Sequence, residues 1–189
     1  MNYFRWHKTF LGVRQQHCYG LYAAIDLVLE QNPQIERFVE VGTGGGALSV
    51  VLALHAIQRF SYLLTFDIHT RGDRSKLDRV FDALQVESHL LDCFSEEAGK
   101  CIDWHIAGLP CFFFCDGGDK LKEFQTFAPI LPPKSIIAVH DYDTPSLDKD
   151  QADKVAGDLS LVPYLPEVWC GGIDDIRTCF FLKERLPSI

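Results

Sequence analysis

Short apolar runs alternate with helix-periodic segments at least five times along this chain, and each run gives way to a polar or glycine-rich turn. The runs are residues 37–41, 62–67, 88–91, 111–115 and 135–139. Residues 111–115 enclose Phe112, Phe113 and Phe114 and read as a central strand buried on both faces. Between the runs, Leu21, Ile25, Val28 and Leu29 share one helical face, so residues 15–30 read as a helix. Residues 47–58 are apolar nearly all round, as a buried helix is. Leu77, Val80, Phe81 and Leu84 have amphipathic spacing, with Asp73 as the candidate cap. Ser95 caps the next helix, whose first turn holds Glu96 and Glu97, the favourable sign for the helix dipole. Leu121, Phe124 and Phe127 mark a helix ending before Pro129, and residues 146–159 mark another. Residues 168–170 and 178–182 read as a closing hairpin.

Such alternation implies a doubly wound α/β fold: a Rossmann-like, mostly parallel sheet of about seven strands, the last antiparallel, with helices on both faces. The length of 189 residues suits one domain, with a helical N-terminal segment over residues 1–35 and the core over 36–189. No linker or repeat divides it. In sheets of this kind ligands sit beyond the carboxyl ends of the strands, where strand order reverses. The informative residues are therefore those just after each strand.

Composition narrows the function classes. A net charge of −8 with scattered Lys and Arg argues against a nucleic-acid partner. No apolar run approaches a membrane span, and the N-terminus lacks the apolar core of a signal peptide, so a cytoplasmic protein is expected. The seven cysteines include no C-x-x-C pair and read as buried, reduced thiols. His55 reads as a core residue, His69 as a neighbour of the ligand, and His105 as surface or pocket. Trp169 and Gly171-Gly172 fit either a substrate wall or a hairpin turn.

After the first run comes Glu40-Val41-Gly42-Thr43-Gly44-Gly45-Gly46, leading into a helix. Glycines let the backbone turn sharply and approach a ligand closely, and the helix start offers free N–H groups. The order E-x-G-x-G-x-G departs from the G-x-G-x-x-G dinucleotide spacing. It resembles motif I of class I S-adenosylmethionine-dependent methyltransferases. After the second run, Asp67 is placed to accept both hydroxyls of a ribose. That is its role in the family the turn resembles, with Ile68 packing on the adenine and Asp92-Cys93 near the adenine amino group. Glu40, Gly42, Thr43, Gly44 and Gly46 complete the expected cofactor set.

After the fourth and fifth runs come Asp116-Gly117-Gly118-Asp119-Lys120 and His140-Asp141-Tyr142-Asp143. Asp116 and Asp141 converge on one crevice, and like charges this close require a cation or a proton between them. These segments resemble small-molecule O-methyltransferases of the catechol and macrocin type. The resemblance implies Mg²⁺ on Asp116 and Asp141, with Tyr142 standing at the third ligand position. It implies a catalytic lysine too. That lysine falls one residue late here, at Lys120, with Asp119 in its expected place. His140, beside Asp141, is a candidate base for a hydroxyl nucleophile.

The expected function is transfer of a methyl group from S-adenosylmethionine to a small-molecule hydroxyl by Asp116, Lys120, His140 and Asp141. A homodimer is an expected way to complete an open substrate pocket. Two alternatives keep the fold: an NAD(P)-dependent oxidoreductase, and a protein that binds S-adenosylmethionine or a partner without turnover.

Overall fold

The computed structural model describes residues 9–10, 13–69, 74–169 and 176–184. A two-stranded ribbon, β1 (Thr9–Phe10) and β2 (Val13–Arg14), precedes helix α1 (Tyr19–Glu30). The core then runs β3 (Arg37–Val41), α2 (Ala47–Gln58), β4 (Leu63–Asp67), α3 (Arg74–Ala83), β5 (Glu87–Leu90), α4 (Glu96–Ile106) and β6 (Cys111–Cys115). It continues through α5 (Lys120–Phe127), a 3₁₀ turn over Ala128–Ile130, β7 (Ile136–His140), α6 (Lys149–Asp158), β8 (Leu161–Pro163), α7 (Pro166–Trp169) and β9 (Thr178–Lys183).

The seven-stranded sheet has the order β5-β4-β3-β6-β7-β9-β8. Strands β3 to β7 are mutually parallel, and β9 runs antiparallel between β7 and β8. The doubly wound architecture expected from the alternation is thus the observed one. Strand order reverses between β3 and β6, whose register pairs Val41 with Cys115, so the turns after these two strands lie side by side.

Alternation along each strand sorts the core. Val39, Val41, Phe113, Cys115, Ile137, Val139 and Phe181 pack with residues of α4, α5 and α6. Phe38, Phe112, Phe114, Ile136, Ala138 and Phe180 pack with α1 and α2. Both faces are apolar, which is why the strands read as continuous hydrophobic runs. Burying one phenylalanine removes enough apolar surface to contribute about 2–3 kcal/mol, and Phe112, Phe113 and Phe114 are all fully buried.

Three local expectations change. The helix expected over 15–30 starts only at Tyr19. Residues before it are extended, because Arg14 bridges to Gly46 and the Gln16 side chain accepts from the Gly45 N–H. The helix expected over 146–159 starts at Lys149, with Asp148 as its cap accepting from Gln151 N at 3.1 Å. The closing strand β9 pairs with β7 and β8, and Val168 belongs instead to the short α7. Asp73, Cys170 and Gly171-Gly172 lie outside the described residues, as does the side chain of Trp169. Six cysteines, Cys18, Cys93, Cys101, Cys111, Cys115 and Cys179, are free thiols. No described helix is long and apolar enough to cross a membrane.

Candidate active site

The turn after β3 is built on a close approach of two backbones. Asp116 N donates to Val41 O at 2.8 Å, and Gly42 N donates to Phe66 O at 2.8 Å. A β-carbon on Gly42, whose φ is +95°, would lie 2.2 Å from the Asp116 carbonyl oxygen. No other residue type fits there. Gly44 N donates to Asp67 Oδ2 at 2.8 Å, and His69 N donates to Oδ1 at 2.9 Å. Asp67 is thereby fixed against the turn, with lone pairs left for a ligand.

Glu40 lies beneath the turn, fully buried on the α2 face of the sheet. Ser49 Oγ donates to its Oε2 at 2.5 Å and Thr65 Oγ1 does so at 2.7 Å. The Thr65 proton being committed, Thr43 Oγ1 donates to Thr65 at 2.7 Å. Glu40 Oε1 has no hydrogen-bond partner among the described residues. Burial pushes its carboxyl up to about 7, against the pull of the Ser49 and Thr65 hydroxyls.

The turn after β6 is wound around a second buried glutamate. Asp119 caps α5 by accepting from Lys122 N at 3.0 Å. Glu123 reaches back to accept from Gly117 N at 3.1 Å and Asp119 N at 3.2 Å, a variant of the capping box. Burial raises Glu123 to about 7, opposed by those N–H groups and by Lys120.

Lys120, at the first position of α5, folds back over this turn. Its Nζ donates to Gly117 O at 2.7 Å and lies 3.3 Å from Asp116 Oδ1 and 3.4 Å from Asp141 Oδ2. The cation that the paired carboxylates require is this ammonium. Burial alone would lower the lysine, but the charges of Asp116 and Asp141 outweigh it and raise its pKa. Burial likewise opposes ionisation of Asp116. The His17 hydrogen bond and the charge of Lys120 help override that and hold its carboxyl below the usual range.

Two histidines close the site. His17 Nε2 lies 2.9 Å from Asp116 Oδ2, and its ring meets that of His140 edge-on at a centroid distance of 4.8 Å. His140 Nδ1 lies 2.7 Å from Thr178 Oγ1, whose proton goes to Ile176 O at 3.1 Å. Hydrogen-bond logic therefore assigns the His140 proton to Nδ1 and a lone pair to Nε2, 3.7 Å from Asp141 Oδ1. Burial lowers His140, against the carboxylates of Asp116 and Asp141.

One cavity of about 570 Å³ joins these parts. Among the residues expected from sequence, Gly42, Gly44, Asp67, Ile68, Asp92, Cys93, Asp116, Lys120, His140 and Asp141 all line it. Glu40, Thr43 and Gly46 do not; they shape the turn from below. His69 is at the wall, whereas His105 is buried near the amino ends of β3 and β4, edge-on to Tyr62 and bonded to Phe38 O at 3.1 Å. His55 is paired with Asp26 at 2.6 Å between α2 and α1. Gln16, His17, Glu123 and Thr178 were missed in the sequence. Glu123 alone left a trace there, as an acid in the first turn of a capped helix.

No protein-family model matches the chain, and no curated protein matches its sequence. Solved structures do match its fold. A structure described as cmcI-N160 SAH is 13% identical, covering 96% of this chain and 84% of its own, with a TM-score of 0.62. A putative caffeoyl-CoA O-methyltransferase from Staphylococcus aureus is 14% identical over 90% of this chain and 86% of its own, with a TM-score of 0.58. The geranyl diphosphate C-methyltransferase from Streptomyces coelicolor A3(2), in complex with Mg²⁺, geranyl diphosphate and S-adenosyl-L-homocysteine, is 11% identical. It covers 85% of this chain and 78% of its own, with a TM-score of 0.52. The fold is that of the class I S-adenosylmethionine-dependent methyltransferases.

The side chains around Asp116 do not fit a Mg²⁺ site. A hard, six-coordinate Mg²⁺ is bound by carboxylates and waters. Here the Lys120 ammonium sits between Asp116 and Asp141. The Tyr142 hydroxyl, at the third ligand position, donates to Asp153 at 2.7 Å on α6. The other donors beside Asp116 are the imidazoles of His17 and His140, which are not magnesium ligands.

Proposed function

We propose that this chain is an enzyme that transfers a methyl group from S-adenosylmethionine to a hydroxyl of a small molecule. The observation that carries this reading is a single cavity at the strand-order reversal with two chemically distinct walls. One wall holds Gly42, Gly44 and Asp67, and the other holds Asp116, Lys120, His140 and Asp141. Asp67 would accept the ribose hydroxyls, Ile68 would cover the adenine, and Asp92 with Cys93 would border its amino edge. The bound cofactor supplies a methyl group made electrophilic by its sulfonium.

The opposite wall handles the acceptor. His140, protonated at Nδ1, would present the Nε2 lone pair to the cavity and accept the proton of a bound hydroxyl, the methyl group being supplied by the sulfonium, which would leave as the neutral thioether. Lys120 holds Asp116 and Asp141 in place. Asp141, beside His140 Nε2, stabilises the imidazolium that forms. The polar groups fix orientation, and holding both reactants in one crevice supplies the larger part of the rate.

Calorimetric titration with S-adenosylmethionine and S-adenosylhomocysteine tests the cofactor assignment. The expected result is saturable binding that weakens by at least about tenfold in Asp67→Ala, the loss of a pair of charge-assisted hydrogen bonds. NADH binding without affinity for S-adenosylhomocysteine would overturn it. Methyl transfer to a panel of catechols and other small alcohols tests the chemistry, and His140→Ala is expected to lose at least about 100-fold in turnover.

A further inference from the structure

We propose that His17, Asp116 and His140 form a binding site for a divalent transition metal of intermediate softness, such as Zn²⁺ or Co²⁺, at the inner end of the cavity. This ligand set differs from the Asp116–Asp141 pair expected for Mg²⁺, and its new member comes from the segment before α1.

The geometry is nearly preformed. Each of the three side chains offers one donor atom, and all three atoms lie within 4.8 Å of one another. Metal–nitrogen and metal–oxygen bonds of about 2.1 Å place tetrahedral donors about 3.4 Å apart. No separation exceeds that spacing by more than about 1.4 Å, and the His17–Asp116 pair need only open by about 0.5 Å. The His17 Nε2 to Asp116 Oδ2 distance is 2.9 Å. Among the described residues this is the only cluster of His, Cys, Asp and Glu with such spacing.

The surroundings are those of a metal site. A ligating histidine is held in one tautomer by a hydrogen bond from its other nitrogen. His140 Nδ1 has that bond to Thr178, which is itself held by Ile176 O. Asp116 has its Oδ1 beside Lys120 Nζ, leaving Oδ2 turned to His17. The His17 proton now shared with Asp116 Oδ2 would move to Nδ1, freeing Nε2 for the ion. Two imidazoles and one carboxylate suit zinc, cobalt, nickel or iron, and reject magnesium. Three protein ligands leave at least one position for water or a substrate oxygen, and Asp116, His17 and His140 all face the cavity. With the ion bound, His140 Nε2 is a ligand and acidification of a bound hydroxyl passes to the metal.

The test uses the whole chain, stripped with a chelator, and needs no methyl donor. Its outcome is therefore separate from the methyltransferase reading. Titration with Co²⁺, followed by calorimetry and visible absorption, should give one site per chain, the intense bands of a four- or five-coordinate ion, and micromolar or tighter affinity. Mg²⁺ in large excess should not displace it. His17→Ala and His140→Ala should each weaken binding more than about 100-fold, and Thr178→Val about tenfold, the effect of losing an outer partner of a ligand. In the unaltered protein, Zn²⁺ should shift the imidazole ¹⁵N resonances of His17 and His140 while leaving those of His55, His89 and His105 in place, a readout that survives any variant that fails to fold. No stoichiometric binding, unchanged affinity in both alanine variants, displacement by equimolar Mg²⁺, or a thiolate-to-cobalt charge-transfer band would each overturn the proposal.

Discussion

The crevice is formed by two turns, after β3 and after β6, and each is built over a buried glutamate raised to about 7. The glutamates are satisfied differently. Both Glu123 oxygens accept backbone N–H groups of their own turn. Glu40 takes two hydroxyls on Oε2 from α2 and β4, and its Oε1 has no partner among the described residues. Glu123 is thus a local staple, whereas Glu40 ties three elements of tertiary structure together at the cost of an unpaired buried oxygen. Glycine follows the same division. At Gly42 the obstacle is the backbone of another strand's turn, and at Gly117 it is the end of the Glu123 side chain.

Substitutions at the glycines should separate the two turns most sharply. Gly42→Ala combines a positive φ with an immovable carbonyl 2.2 Å from the new carbon. It should lose about 4 kcal/mol of stability and most cofactor binding. Gly117→Ala meets Glu123 Oε1 at 2.3 Å and Val41 Cγ1 at 2.9 Å, side-chain atoms rather than backbone, so its loss should be smaller, about 2 kcal/mol. Gly118→Ala meets nothing within 4 Å and should stay within about 0.5 kcal/mol. Thermal melts of the three variants give the order; equal losses at Gly42 and Gly118 would erase the distinction.

Lys120→Met is the next largest. It leaves Asp116 and Asp141 facing each other without their cation and should cost about 3 kcal/mol at pH 8. The loss should shrink towards pH 5 as a carboxylate takes up a proton. Urea denaturation at the two pH values measures this, and a pH-independent loss would mean that the lysine acts by packing.

The glutamates themselves should respond to pH with the same sign and to amide substitution with different severity. A carboxyl raised from 4.5 to about 7 binds its proton more tightly in the folded state. Its contribution is fully present below pH 4.5 and is lost as pH rises through 7, on the order of 3 kcal/mol per group. Buried His105, lowered to about 4, works oppositely: its contribution is present above pH 6.5 and lost as pH falls. The informative quantity is therefore the difference between wild type and variant. Glu40→Gln keeps the acceptor for Ser49 and Thr65 and should flatten the pH slope with little loss near neutrality. Glu123→Gln turns an amide N–H₂ against a backbone donor and should lose about 2 kcal/mol at every pH. Ser49→Ala, which removes one donor to Glu40, should have a smaller effect than Glu123→Gln, about 1 kcal/mol.

The first turn was far more legible than the second. Its glycines and Asp67 lie next to strand ends, so the order of residues already places them beside one cavity. Lys120 was displaced by one residue from the expected lysine, yet it reaches both carboxylates because an α5 N-terminal side chain can fold back over the Gly117–Asp119 loop. His17 left no readable signal. It sits 99 residues from Asp116 and within a stretch that reads as helix. Thr178 meets His140 only through the antiparallel register of β9 on β7.

The sequence by itself determined the layer order, the crevice at the strand reversal, and the glycine turn with its acid, because these follow from local periodicity and from what a β-carbon forbids. Tertiary structure alone decided what surrounds Asp116. An ammonium from its own turn, an imidazole from the N-terminal segment and another tethered to an antiparallel strand meet there. Their partners are set by strand register and chain path, which residue spacing along a sequence does not encode.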